Sequence, residues 1–267
     1  MDLATILGVT LGIASLVLAF IMEGGHIGML IALPAAIIVF GGTLGAVMAG
    51  FSLAEIMLIP KLFKVIIFAK PVDERALIDQ MVELAEKARR EGLLYLENHL
   101  GEIDSAFLRK GIQLVVDGTD PDLVHNIMEI EMYAMQERHK IGQELFNQAG
   151  GYAPTMGIIG TVMGLIHVLG SLSNPDALGP AIAMAFTATL YGVSSANVIY
   201  FPIATRLKGL SAKEEVAYQM MIEGLLALQA GNNPILIRER LTAYLRPGER
   251  KTAPVEKEGQ GEVYEST

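Results

Sequence analysis

Four stretches of the chain carry no charged side chain: residues 3–22, 24–54, 145–175 and 177–205. A helix crosses the hydrocarbon core of a bilayer with about 20 predominantly apolar residues, so each stretch is long enough. The pattern predicts membrane spans at 3–22, 28–50, 152–173 and 179–205. They pair into two hairpins closed by Glu23-Gly24-Gly25-His26 and Ser173-Asn174-Pro175-Asp176. Between the hairpins the periodicity is that of soluble helices. Leu77, Met81, Leu84 and Ala88 recur at helical spacing over 73–91, and Gly92 can stop that helix. A second helix is expected over 104–117, ending at Gly118. Asp120 and Pro121 then supply an N-cap and a first-turn proline for a long helix to about 148. Its apolar positions include Val124, Ile127, Met128, Met135, Ile141 and Leu145. After the fourth span, Ser211-Ala212-Lys213-Glu214 reads as a capping box opening a helix to Gly231, with a further short helix at 235–245. No stretch alternates as a strand would.

The fold class is therefore an all-α integral membrane protein, with four transmembrane helices and a helical cytoplasmic domain between the second and third. The expected divisions are a first hairpin at 1–50, the cytoplasmic domain at 51–150, a second hairpin at 151–207, C-terminal helices at 208–246, and a tail at 247–267. The tail is rich in Glu, Lys, Gly and Pro and is expected to be disordered.

Composition narrows the function. Charged residues make up 18% of the chain and the mean hydropathy is +0.43, against about 25% charged in an ordinary soluble domain, which excludes a soluble enzyme. The absence of Cys excludes a disulfide scaffold. A net charge of −9 argues against nucleic-acid binding. Every Lys and Arg falls within 51–150 or 206–267, so the positive-inside rule places both segments, and both termini, in the cytoplasm. The opening Met-Asp-Leu-Ala-Thr lacks the basic region of a signal peptide, and the first span is expected to stay as an anchor.

The first two spans are apolar on all sides and are expected to face lipid. The third and fourth carry small residues at steps of three and four: Gly157, Gly160, Thr161 and Gly164, then Ala181, Ala185, Thr189, Gly192 and Ala196. Such stripes let helices approach closely in a bilayer. They fit either plain helix packing or an inner layer that faces something other than lipid. Thr155, Thr161, Thr187, Thr189, Tyr191, Ser194, Ser195 and Asn197 add polar groups, while His167 reads as structural. Pro154 and Pro202 each remove a backbone donor near the cytoplasmic ends of these spans. No Asp, Glu, Lys or Arg lies within any span. A protein that moves a cation unaided keeps an ionisable group near the midplane, so here a partner would have to bring the carboxylate. There is no nucleophile–base pair, metal-ligand cluster or phosphate loop, so no catalytic residue, metal or cofactor is expected.

The run Ala153-Pro154-Thr155-Met156-Gly157-Ile158-Ile159-Gly160-Thr161-Val162-Met163-Gly164-Leu165 resembles the third-helix signature of the flagellar motor stator A subunits, MotA and its sodium-type counterpart PomA. Arg89-Arg90-Glu91-Gly92-Leu93 with Leu96-Glu97, Val116-Asp117-Gly118, Glu137-Arg138-His139, Ala188-Thr189-Leu190-Tyr191-Gly192 and Phe201-Pro202-Ile203-Ala204 agree in order and spacing. The resemblance covers residues 1–246, and its motifs are closest to PomA. It implies a ring of five subunits around two copies of a MotB- or PomB-type single-span partner that carries the membrane aspartate, in the bacterial inner membrane. It implies that Na⁺ or H⁺ flow turns the ring against the rotor protein FliG. Arg89 and Glu97 match the family's rotor-contact positions, with Arg90 beside them. Pro154 and Pro202 match prolines tied to torque, and Thr161 and Thr189 match hydroxyl positions on the ion path. Proton users of the family commonly carry alanine where this chain has Thr161, so the resemblance favours Na⁺. An ExbB- or TolQ-type motor subunit, a self-contained transporter and a membrane scaffold are the alternatives. The first of these families has three spans.

Overall fold

The computed structural model describes residues 3–68, 72–170 and 175–250, and among them every regular element is helical. The segments Ala4–Met22, Ile27–Gly50, Pro121–Gly170 and Leu178–Gln229 are long and apolar enough to cross a membrane. The chain divides into two compact units. One comprises Met1–Pro71 with Met132–Glu215, and the other Val72–Glu131 with Val216–Thr267.

In the first unit, α1 (Leu3–Met22) ends where Gly24 takes φ +86°. Gly25 N–H reaches back to the Phe20 carbonyl and Gly24 N–H to that of Ile21, the paired bonds of a glycine-terminated helix. The second span starts as a 3-10 turn (Ile27–Leu30) and continues through α2 (Leu33–Ala36), a π-helical turn (Ile37–Gly41) and α3 (Gly42–Gly50). It is not lipid-facing all round. Ala32, Ala35 and Val39 are buried against Ala188, with Tyr191 packed beside them, because small residues there let the helix settle on span four. Between its 3-10 turn and α2, Ile31 and Ala32 are extended, with φ −101° and −124°. Backbone groups left unpaired in lipid cost several kcal/mol each. The Tyr191 phenol meets this need: it accepts from Ala32 N–H at 3.2 Å and donates to the Leu30 carbonyl.

A short α4 (Leu53–Ile56) opens with a true capping box. Ser52 Oγ accepts from Glu55 N–H at 3.4 Å while Ser52 N–H donates to Glu55 Oε2 at 2.7 Å. The Ser52 hydroxyl and amide hold the Glu55 carboxyl below its ordinary pKa. Next, α5 (Ile59–Phe68) lays Leu62 on Gly142 and Ile66 against Phe146, Ile203, Ala204 and Leu207. Val47 packs on Leu145 and Ala149. These contacts draw 51–71 and 132–150 into the first unit, so the compact units do not divide at residues 50 and 150.

Two helices expected to be interrupted are continuous. α9 runs Pro121–Gly170 through Pro154, and α10 (Pro175–Ser195) passes through a π-helical turn (Ala196–Tyr200) into α11 (Phe201–Gln229). Ser211-Ala-Lys-Glu214 therefore caps nothing. It lies inside α11, where its amides already belong to the preceding turn. Ser211 Oγ instead sits 3.2 Å from His139 Nδ1 on α9, with Glu214 Oε2 4.0 Å from the same nitrogen. The π turn directly precedes Pro202. A proline ring crowds the carbonyl four residues back, here that of Val198, and the widened turn relieves it.

Spans three and four cross on their small residues. A Cβ on Gly157 would lie 2.8 Å from the Ala188 carbonyl oxygen. One on Gly192 would strike the Ala153 carbonyl, and one on Gly164 would lie 2.6 Å from Ala185 Cβ. The stripe is thus consumed by packing within the chain.

The second unit holds α6 (Glu74–Glu91), α7 (Leu93–Asn98), α8 (Ala106–Val116), the start of α9, the end of α11, and α12 (Pro234–Thr242). Asp73 caps α6 by accepting from Arg75 and Ala76 N–H, and Ser105 caps α8. Gly118 (φ +72°) closes α8 with Thr119 N–H on the Leu114 carbonyl. Asp120 and Pro121 open α9 as the sequence predicts, with Asp120 Oδ1 accepting from Asp122 N–H at 3.0 Å. Met81, Leu108, Ile112, Met128, Met220 and Leu225 form the dry core. Gly111 admits Leu225 and Met128 where α8 crosses α9 and α11. The turn expected at 173–176 lies partly, and the tail from 251 wholly, outside the described residues; Arg250 still bonds the Leu245 carbonyl at 2.8 Å.

Two substitutions test this packing. Gly192→Ala should lower the thermal midpoint of the purified protein in detergent, since backbone cannot yield to the new methyl; overpacking costs about 1–3 kcal/mol. Gly45→Ala, in open space on the second span, should leave it unchanged or higher. Tyr191→Phe should also lower the midpoint, because it strands the Ala32 amide and Leu30 carbonyl at about 1–3 kcal/mol for the pair's loss.

Candidate functional site

The Gly157/Gly192 crossing sets the two threonines of the expected ion path face to face. Thr161 lies one turn beyond Gly157 on α9, and Thr189 one turn before Gly192 on α10. Their hydroxyl oxygens are 2.5 Å apart. Thr161 Oγ1 is also 2.9 Å from the Ala185 carbonyl and 3.1 Å from that of Gly157, and Thr189 Oγ1 is 3.5 Å from the Gly157 carbonyl. Both side chains are half-buried. Two hydroxyls and two carbonyls thus gather four neutral oxygens at one level. Thr161 has a single proton for three acceptors, so the cluster holds more lone pairs than protons. Hard cations prefer such oxygen donors. No Asp or Glu lies in 145–175 or 177–205, so these two stretches bring no countercharge of their own to a cation held by the four oxygens.

The prolines sit elsewhere. Pro154 removes the donor that would have paired the Gly150 carbonyl, and Gly150 lies about 16 Å along the helix from Thr161 at 1.5 Å per residue. That carbonyl is therefore not beside the threonines; those of Gly157 and Ala185 are. The two prolines lie at different levels, because Ala153 meets Gly192, ten residues before Pro202. A Cβ on Gly150 would lie 2.6 Å from the ring of Phe201, the residue before Pro202, and both prolines are half-buried.

The expected rotor-contact residues form a separate, exposed corner in the second unit. Arg89 and Arg90 occupy the last turn of α6, where positive charge suits the helix dipole. Gly92, at φ +86°, turns the chain into α7, which carries Glu97. All three charged residues are exposed. In the same run Lys87 is already committed. Its ammonium sits 2.7 Å from Glu83, whose hydrogen bond raises the Lys87 pKa. None of Arg89, Arg90 or Glu97 is drawn into an ion pair among the described residues.

Two participants escaped sequence reading. Tyr191 looked like one more polar group, and nothing local marks a clamp on a residue 159 positions away. The π turns leave no signature except Pro202, which points to the second.

Residues 6–92 match the motility protein A N-terminal family and residues 99–220 the MotA/TolQ/ExbB proton channel family. The chain is 38% identical over 251 residues to Motility protein A of Bacillus subtilis, covering 94% of this chain and 93% of that protein. It is equally 38% identical over 250 residues to Chemotaxis protein PomA of Vibrio alginolyticus, covering 94% and 98%. The fold superimposes on C. jejuni MotAB with a TM-score of 0.88 at 32% identity, over 92% of this chain and 97% of that one. It matches the flagellar MotAB stator complex of Bacillus subtilis with a TM-score of 0.87 at 38% identity, over 92% and 98%. With the four-span frame, the glycine crossing and these matches along nearly its whole length, the chain belongs to the MotA/TolQ/ExbB proton channel family, in its motility protein A branch.

Proposed function

We propose that the chain is a stator subunit of the bacterial flagellar motor that couples Na⁺ flow to rotation. The four-oxygen cluster at Thr161 and Thr189 carries this reading. A sodium ion must trade hydration water for oxygen ligands as it passes, and the cluster offers neutral oxygens in a setting without competing charge. A proton needs no such set, because waters and one carboxylate suffice. The carboxylate comes from a single-span MotB- or PomB-type partner, which suits spans empty of Asp and Glu. The relatives solved as MotAB complexes support such a partner. The same reading sets five copies around two partner chains in the inner membrane, with both termini and the second unit in the cytoplasm. There Arg89, Arg90 and Glu97 act on FliG. Pro154 and Pro202, each costing its helix a backbone hydrogen bond, let spans three and four flex as the ion passes.

In cells whose motors run on this chain, motor speed should rise with external Na⁺ at fixed pH and membrane potential. Thr161→Ala should abolish that dependence. Speed indifferent to Na⁺ in the unmodified motor assigns the coupling to protons.

Reversing the corner charges tests the rotor contact separately. One exposed pair contributes only about 0–1 kcal/mol, so single changes should be mild. Arg89→Glu combined with Glu97→Lys should impair swimming while the protein still assembles in the membrane. Full motility in the double variant would mean that these charges only solvate a helix face.

A further inference from the structure

A lateral groove of about 500 Å³ opens in the first unit between α1 and span four. Just beyond its inner end Gly12 of α1 meets Val198 in the π turn; a Cβ there would lie 2.9 Å from Val198 Cγ1. From that crossing the groove runs outward between Ile13, Leu16 and Val17 on one side and Leu190, Ser194 and Val198 on the other. Its mouth is at Glu23, which is exposed, and at Phe20, whose ring lies against Gly25 of the hairpin turn. Both π turns contribute to its wall, through Phe40 and through Val198 with Ile199. The hydroxyls of Tyr191 and Ser195 on that wall are turned into backbone carbonyls, the latter onto Gly192 at 3.1 Å. What remains is almost wholly apolar.

The dimensions suit one lipid chain. Ile13 to Glu23 is ten residues, about 15 Å of helix and half of the roughly 30 Å hydrocarbon core. The acyl region of one leaflet spans the same length, half of the hydrocarbon core. The single carboxylate stands at headgroup level, where it complements a cation.

We infer that this groove is a phospholipid site: one acyl chain lies along α1 from Gly12 to Phe20, and Glu23 pairs with the primary ammonium of an ethanolamine headgroup. The inference goes beyond the ion-coupling reading and is independent of which ion is used. It also gives α1, which buries no part of its span within the chain, a partner along the face it turns to span four.

The chain contains no Trp, so an introduced one is a clean reporter. Val17→Trp places it on the groove wall and Leu18→Trp on exposed surface of α1. The full-length protein is reconstituted in vesicles of mixed phosphatidylethanolamine and phosphatidylglycerol, with brominated acyl chains on one lipid at a time. Quenching at Val17→Trp should be several-fold stronger when the ethanolamine lipid is brominated, and Glu23→Gln should remove that preference. Leu18→Trp should show none. Equal quenching by both lipids at Val17→Trp would overturn the headgroup assignment. Weak quenching by both there, with strong quenching at Leu18→Trp, would mean that a neighbouring copy fills the groove. Should the Trp variants fail to fold, native mass spectrometry decides. The unmodified protein should retain ethanolamine lipid after detergent extraction in preference to glycerol lipid, and Glu23→Gln should lose it; identical retention overturns the site.

Discussion

The membrane unit depends on the absence of two side chains. Gly157 and Gly192 let the backbones of α9 and α10 touch, and the neighbouring Gly160–Ala188 and Gly164–Ala185 contacts extend the seam. In lipid, apolar burial gives no net drive for helix association, so close van der Waals contact and interhelical hydrogen bonds must supply it. The seam does both. By bringing the axes together it brings Thr161 and Thr189, one turn away on each helix, within hydrogen-bonding distance. The geometry of the oxygen cluster is thus a by-product of the tightest packing in the spans.

That coupling explains why the cluster is built from threonines. Each hydroxyl has a carbonyl of its own chain within reach, so the resting site pays little desolvation penalty. A carboxylate in the same place would stand ionised in a low dielectric with no cation beside it, which is far costlier. Spans without Asp, Glu, Lys or Arg leave the chain insertable and neutral through the bilayer. The exposed corner around Gly92 follows the opposite logic: Arg89, Arg90 and Glu97 stay exposed, with no ion pair to any of them among the described residues.

The spans, the helices α6, α8 and α12, and the Asp120-Pro121 start of α9 were legible because each rests on local information: a charge-free run, an N-cap, or a glycine at positive φ. The family motifs identified Thr161 and Thr189, although their meeting depends on a crossing that only three dimensions display. Where reading failed, a longer-range preference had overruled a local one. Ser211 and Glu214 have the spacing of a capping box, but a helix already under way leaves no free amides to cap. Ser52 and Glu55, with the same spacing, do cap, because the helix stops at Gly50 and Phe51 is extended. The apolar faces of span two looked equivalent until Ala32, Ala35 and Val39 met Ala188. The small-residue stripe fitted two readings; its glycines are taken up by packing within the chain, while Thr161 and Thr189 stay half-buried.

Tyr191 ties the folding of this protein to the order in which it is made. The amide of Ala32 waits for a phenol 159 residues later in the chain. At a synthesis rate of about 5–20 residues per second, that interval is roughly 8–30 s. Until the fourth span is present, the two bonds from the Tyr191 hydroxyl to Ala32 and Leu30 cannot form, so the final pairing of the second span's entry depends on the last span to be made.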